Sequence, residues 1–87
     1  DLTRKKEFER IDKDTIITNG DIEIDVINEI FKTKIPEGDD YASLNGLLHE
    51  RLQDIPQEGD KIEIDDLRII VEKVSKNIPK KIRIEKI

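Results

Sequence analysis

Over Leu52-Gln53-Asp54-Ile55-Pro56-Gln57-Glu58-Gly59-Asp60-Lys61-Ile62-Glu63-Ile64 the hydrophobic period of the chain changes from that of a helix to that of a strand, and the fold class turns on this change. Upstream of it, Leu44, Leu47, Leu48 and Leu52 recur at helical spacing, and Ser43 stands where an N-cap hydroxyl is wanted. Pro56 closes that helix, because the residue before a proline is driven out of the α region. Gln57-Glu58-Gly59-Asp60 reads as a turn. Beyond it Ile62 and Ile64 alternate with Lys61 and Glu63, the period of a half-buried strand. Gly46 lies inside the first turn of the helix, where it costs up to about 1 kcal/mol relative to Ala. A second backbone packed closely against Gly46 is the expected reason for it.

Working outward toward the C-terminus, Asp65-Asp66 makes another turn, and Leu67, Ile69 and Val71 then share one face. Val74 falls one position out of phase, so a β-bulge is expected near Glu72-Lys73. Ser75 to Pro79 reads as a connection to a last strand in which Ile82 and Ile84 alternate with Lys81, Arg83 and Glu85. That strand, Lys80 to Ile87, is the expected edge of the sheet.

Toward the N-terminus, Asp12-Lys13-Asp14 has turn chemistry, since an Asp carboxylate can bond the backbone two residues on. Glu7 to Ile11 before it reads as a short strand, and residues 1–6 as a linker or tail. Thr15-Ile16-Ile17-Thr18 is β-branched throughout, which suits a pleated surface. Asn19-Gly20 would supply the positive φ that tight turns require. A strand end is expected over 22–24 and a helix over about 26–32, with Asp25 as its N-cap. The loop Ile35-Pro36-Glu37-Gly38-Asp39-Asp40 leads into the Leu helix. The resulting order implies an α+β domain over residues 7–87, two helices packed on a mostly antiparallel sheet of four or five strands. The inward set is expected to be Ile17, Val26, Ile27, Ile30, Phe31, Leu44, Leu47, Leu48, Ile62, Ile64, Leu67, Ile69, Val71, Ile82 and Ile84.

Charged residues make up 43% of the 87 residues, 21 acids against 16 bases, for a net charge of −5. Nucleic acid is therefore not expected as a partner, because phosphate binding needs a basic face. Without cysteine the chain has no disulfide, thiolate zinc site or Cys nucleophile. No apolar run approaches the roughly 18 residues of a membrane span. A first residue Asp1 in place of Met is what an excised piece of a larger protein would show.

From Thr15 onward the chain resembles the CorC/HlyC domain, also called the transporter-associated domain. The residues that carry the resemblance are Asn19-Gly20, Ile27-Asn28-Glu29, Ile35-Pro36, Ser43 with Gly46, Ile55-Pro56 with Gly59-Asp60, and Leu67-Arg68. Ser43 stands where Thr is usual, Asn45 where a second Gly is frequent, and Asp66 where the hairpin usually has Gly. The resemblance assigns structural motif roles to Gly20, Asn28, Glu29, Pro36, Ser43, Gly46, Ile55, Pro56, Gly59 and Asp60. It implies a small relative of flavin-binding (FAD-binding-domain-like) folds. It also implies a C-terminal module of bacterial membrane proteins that follows a transmembrane region and a pair of CBS domains, at the cytoplasmic side of the membrane. Such proteins carry the name hemolysin or are linked to magnesium and cobalt efflux, which makes the expected role regulatory.

His49 is the only histidine, so no His-based triad, relay or paired-His metal site can be assembled, and a helix-surface position is expected. Asp39, Asp40, Asp65 and Asp66 are paired acids on bends. They are candidates for weak cation binding only, since Ca²⁺ wants 6–8 oxygens and no such spacing is present. Flavin binding is not expected, because the Gly-rich phosphate loop G-x-G-x-x-G is absent and no Trp can stack on the ring system. The basic tract of Lys76, Lys80, Lys81 and Arg83 around Ile78-Pro79 has the charge to touch anionic headgroups or an acidic neighbour, but its strand period favours a solvated face. No catalytic residue, cofactor or metal follows from this pattern, and a monomer or weak dimer is expected. The rival reading is a small-molecule binding module, in which a pocket near Gly46 and the Ile55-Pro56 turn holds a nucleotide or flavin-like molecule.

Overall fold

The computed structural model describes residues 8–38 and 41–87. Within them lie β1 (Phe8–Asp12), β2 (Thr15–Thr18), α1 (Ile24–Phe31), α2 (Leu44–Leu52), β3 (Lys61–Ile64), β4 (Leu67–Ser75) and β5 (Ile78–Lys86). The strands form one sheet in the order β1-β2-β5-β4-β3, every neighbouring pair antiparallel. Ile16, Ile84, Ile69 and Ile62 stand in one row across four of these strands, on the face that carries the helices. Ile24, Ile27 and Phe31 of α1 and Leu44, Leu47 and Leu48 of α2 close over that row in a single core. This is the α+β architecture that the periodicity implies.

Local chemistry explains most of the connections. Asp12 Oδ1 accepts from the Asp14 N–H at 2.8 Å, the expected side-chain turn between β1 and β2. Asp65 and Asp66 both take positive φ (49° and 68°), which closes the β3–β4 hairpin with two residues. The β4–β5 pairing shifts register on both sides of Lys73, the bulge that the phase of Val74 demands. Ser43 caps α2 by accepting from the Gly46 N–H at 3.4 Å.

Several expectations are corrected. β5 is the centre of the sheet and not its edge, because an antiparallel strand with one wet face keeps the same polar alternation wherever it sits. In β2 the fully buried residue is Ile16, while Ile17 is half-buried on the opposite face between Glu9 and Arg83. Four β-branched residues in a row carry no phase of their own, so pairing with β5 sets it. The connection from β4 to β5 is only Lys76-Asn77, both at positive φ, so Ile78-Pro79 already belongs to the strand. Ile22, Ile24 and Ile35 join the core although they are absent from the expected inward set. Ile62 and Ile64 are only partly buried, as befits the edge position of β3.

The start of α1 differs for a reason of its own. Glu23 is the N-cap residue, without a side-chain cap, and Asp25 lies in the first turn. The strand end expected over 22–24 shrinks to an isolated bridge between Glu23 and Ser43. Ile24 N–H donates to the Ala42 carbonyl at 2.8 Å, Leu44 N–H to that of Ile22 at 2.9 Å, and Asn45 N–H to that of Gly20 at 2.9 Å. The chain entering each helix thus satisfies the orphan amides of the other, which removes the need for a capping carboxylate.

Candidate functional site

The residues singled out by their pattern fall at three junctions, each a place where a loop is held against an element. At the first, Gly20 and Gly46 flank the paired helix starts. Asn19 and Gly20 do not take positive φ; Asn19 Oδ1 instead accepts from the Asp21 N–H at 2.8 Å. Gly20 is required for space, because a Cβ there would overlap the Asn45 carboxamide. The neighbour of Gly46 is the Tyr41 side chain and not a second backbone, and the Tyr41 ring also covers Gly38. Tyr41 Oη donates to Glu50 at 3.3 Å. Burial, followed by the Glu50 charge, lifts its phenol above the usual value, while Arg51 opposes the shift.

The second junction is built on Asn28. Its Nδ2 donates to the Ile35 carbonyl at 2.9 Å, and its Oδ1 accepts from the Ile35 N–H and the Thr33 hydroxyl, each at 2.8 Å. One side chain therefore replaces a strand partner for Ile35, which pins the loop and delivers Ile35 to the core. Asp65 Oδ2 holds the same loop by accepting from the Lys34 N–H at 2.5 Å. Glu29 and Pro36 are exposed beside it.

The third junction is the turn after α2. Gly59 takes φ 94°, its N–H donates to the Val71 carbonyl, and the Asp60 carbonyl accepts from the Val71 N–H, both at 2.8 Å. Asp60 Oδ2 accepts from the Gln57 N–H at 2.8 Å, and Glu58 Oε2 reaches the Val74 N–H at 3.2 Å, beside the bulge. Pro56 is buried and Ile55 is 44% exposed. Asp54, Ile55, Pro56, Gln57, Glu58, Val74 and Asn77 line an open depression of about 500 Å³. Gly46 is not among the residues that line this depression, and its nearest neighbour is the Tyr41 side chain.

The remaining candidates are scattered. Asp39 and Asp40 lie outside the described residues. Asp65 is engaged with Lys34, and Asp66 contributes its carbonyl to the Ile87 N–H at 2.9 Å. Among the described residues no group of three or more His, Cys, Asp or Glu side chains converges as a metal site would require. His49 is exposed on α2. Lys76, Lys80 and Lys81 are exposed at the β4–β5 hairpin, where Lys73 stands directly opposite Lys81. Arg83 instead joins a ladder on the outer face of the sheet. Its Nε contacts Glu85 at 2.7 Å, and Arg68 contacts Glu63 at 3.3 Å and Glu85 at 3.8 Å. The hydrogen bond to Glu85 raises the Arg83 pKa further. Pattern reasoning missed Tyr41, Asn45 and Glu58. The available signal for Asn45 is a turn-favouring residue placed inside a helix; Glu58 has no sequence signal beyond its turn.

In this two-layer domain Asp12, Asp54, Glu58, Asp60, Asp65 and Asn28 all turn their side chains onto the backbone of its own turns and loops. The chain belongs to the CorC_HlyC family, the transporter associated domain, whose family model matches residues 9–87. A hemolysin C homolog of Rickettsia massiliae is 33% identical over 60 residues, covering 68% of this chain and 20% of that protein. The UPF0053 inner membrane protein YfjD of Escherichia coli is 30% identical over 70 residues, covering 80% and 16%. The chain thus spans about a fifth of the length of these relatives or less. Among solved structures, the CorC_HlyC domain of a Corynebacterium glutamicum hemolysin superposes with a TM-score of 0.83 at 25% identity, covering 94% of this chain and all of that one. The transporter associated domain of a CBS domain protein from Porphyromonas gingivalis gives 0.76 at 22% identity, covering 93% and 98%. No helix among the described residues is long and apolar enough to cross a membrane.

Proposed function

We propose that this chain is a non-catalytic regulatory module of a bacterial membrane ion transporter, acting by contact on neighbouring CBS and transmembrane domains of a longer protein. The observation that carries this reading is membership, over residues 9–87, of a family described as transporter associated, together with a relative that is an inner membrane protein of which the matched stretch is 16%. The P. gingivalis domain of the same fold belongs to a CBS domain protein, which supports CBS neighbours; a position at the cytoplasmic side of the membrane is part of the same proposal. The internal chemistry agrees with contact rather than turnover. Asp12, Asp54, Asp60, Asp65 and Glu58 each accept from a backbone amide, so these carboxylates hold turns in place. An acidic module of this kind biases a gate by docking differently in its two states.

The test is transport by the full-length parent with residues 8–87 deleted. An altered rate or altered cation dependence is expected, with the membrane part still assembled. Unchanged transport, cation dependence and assembly together overturn the proposal. Absorbance and mass spectrometry of the purified domain separate it from a ligand-binding module, which would retain its small molecule.

A further inference from the structure

β3 is an outer strand of the sheet, and the geometry points to it as an interface for a second copy of this chain, paired antiparallel about Ile62. Val71 donates to the Asp60 carbonyl and accepts from Gly59, so Val71 turns its polar groups toward the β3 side. Bonded and unbonded pairs alternate along an antiparallel ladder. Ile69 and Leu67 therefore bond β3 as well, through Ile62 and Ile64, their partners in register. Lys61 and Glu63 face Ile70 and Arg68 as the unbonded pairs. Their N–H and C=O groups consequently point away from β4, toward the open edge.

Two copies of the strand Lys61-Ile62-Glu63-Ile64 fit each other in one register. With Ile62 on the two-fold axis, Lys61 stands opposite the partner's Glu63, and Glu63 opposite the partner's Lys61. Those are the residues whose backbone groups are free, so the hydrogen bonds and the charge pairs fall at the same positions. Both side chains are exposed on the outer face, and Ile62 meets the partner's Ile62 on the inner face, where it is only partly buried within one chain. A register centred on Glu63 sets like charges against each other. It also needs Asp65 as strand, whereas Asp65 sits at φ 49°. The other outer strand, β1, offers no equivalent run, because its register breaks between Arg10 and Asp12. A four-residue strand buries little area, so the dimer is weak and forms one continuous sheet across both copies. This inference does not depend on the transporter reading, since it is measured on the 87-residue chain alone.

Sedimentation equilibrium of that chain, from micromolar to roughly millimolar concentration, reads the association. The apparent mass is expected to rise from one chain toward two, and to fall back when salt is added. Lys61→Glu and Glu63→Lys each place like charges opposite one another and are expected to remain monomeric. An equimolar mixture of these two variants restores both charge pairs and is expected to associate, as is the double variant with itself. Concentration-dependent protection of the Lys61 and Glu63 amides from hydrogen exchange in the unaltered chain gives a readout that needs no substitution. A monomer at every concentration, a dimer indifferent to both single variants, a mixture that stays monomeric, or amides at 61 and 63 that gain no protection would each overturn the proposal.

Discussion

At the scale of single residues, Gly20 and Asn45 form a pair that neither residue type advertises alone. Asn45 Oδ1 is buried without a hydrogen-bond partner, and its carboxamide occupies the space a Gly20 side chain would fill. Gly20→Ala forces that carboxamide out and is expected to cost about 1–3 kcal/mol, the usual range for overpacking. Asn45→Ala removes an unsatisfied acceptor and is expected to be near neutral. In the double variant most of the Gly20→Ala penalty disappears, and urea denaturation of the four proteins measures the coupling. Additive losses would show that Gly20 is needed for some other reason. Asn28 teaches a related lesson. Its sequence position marks it only as a polar residue in a helix, and its bracket on Ile35 depends on a loop that returns seven residues later.

At the scale of elements, the strands were legible where a residue breaks the period and illegible where nothing does. Val74 falls out of step with Leu67, Ile69 and Val71, and the bulge is found there. Thr15-Ile16-Ile17-Thr18 contains no such mark, so only the partner strand could decide between Ile16 and Ile17. In the β4–β5 hairpin, Ile78-Pro79 has the sequence character of a loop and suggests a longer connection than the structure contains. Lys76-Asn77 completes the turn alone, and the bulge lets Pro79 pair with Val74 inside the strand. That hairpin also sets Lys73 against Lys81, two like charges directly opposed. Lys73→Glu turns repulsion into an ion pair and is expected to stabilise the domain by about 0.5 kcal/mol. A thermal melt at low salt measures the gain, and the gain shrinks as salt is added.

At the scale of the whole molecule, the inner layer could be derived from periodicity, whereas strand order could not. Alternation says which face a residue takes and nothing about which strand lies beside it. The order β1-β2-β5-β4-β3 places β5 between β2 and β4, so Thr15 pairs with Glu85 while Leu67 pairs with Lys86. Without β5, the β1–β2 hairpin is separated from β4 and β3 in the sheet. A chain ended after Asn77 is therefore expected to show a largely unfolded circular dichroism spectrum, and a native-like spectrum would contradict this account. The same placement governs the molecule during its synthesis. Ile16, Ile24 and Leu44 leave the ribosome well before Ile82 and Ile84, and their hydrophobic faces must wait for the segment made after them. Such long-range closure is slow compared with local pairing, and the waiting segments are the ones a chaperone or a protease meets first. A chain interrupted before β5 therefore leaves those faces uncovered, while one carried through residue 86 contains every strand that the sheet pairs.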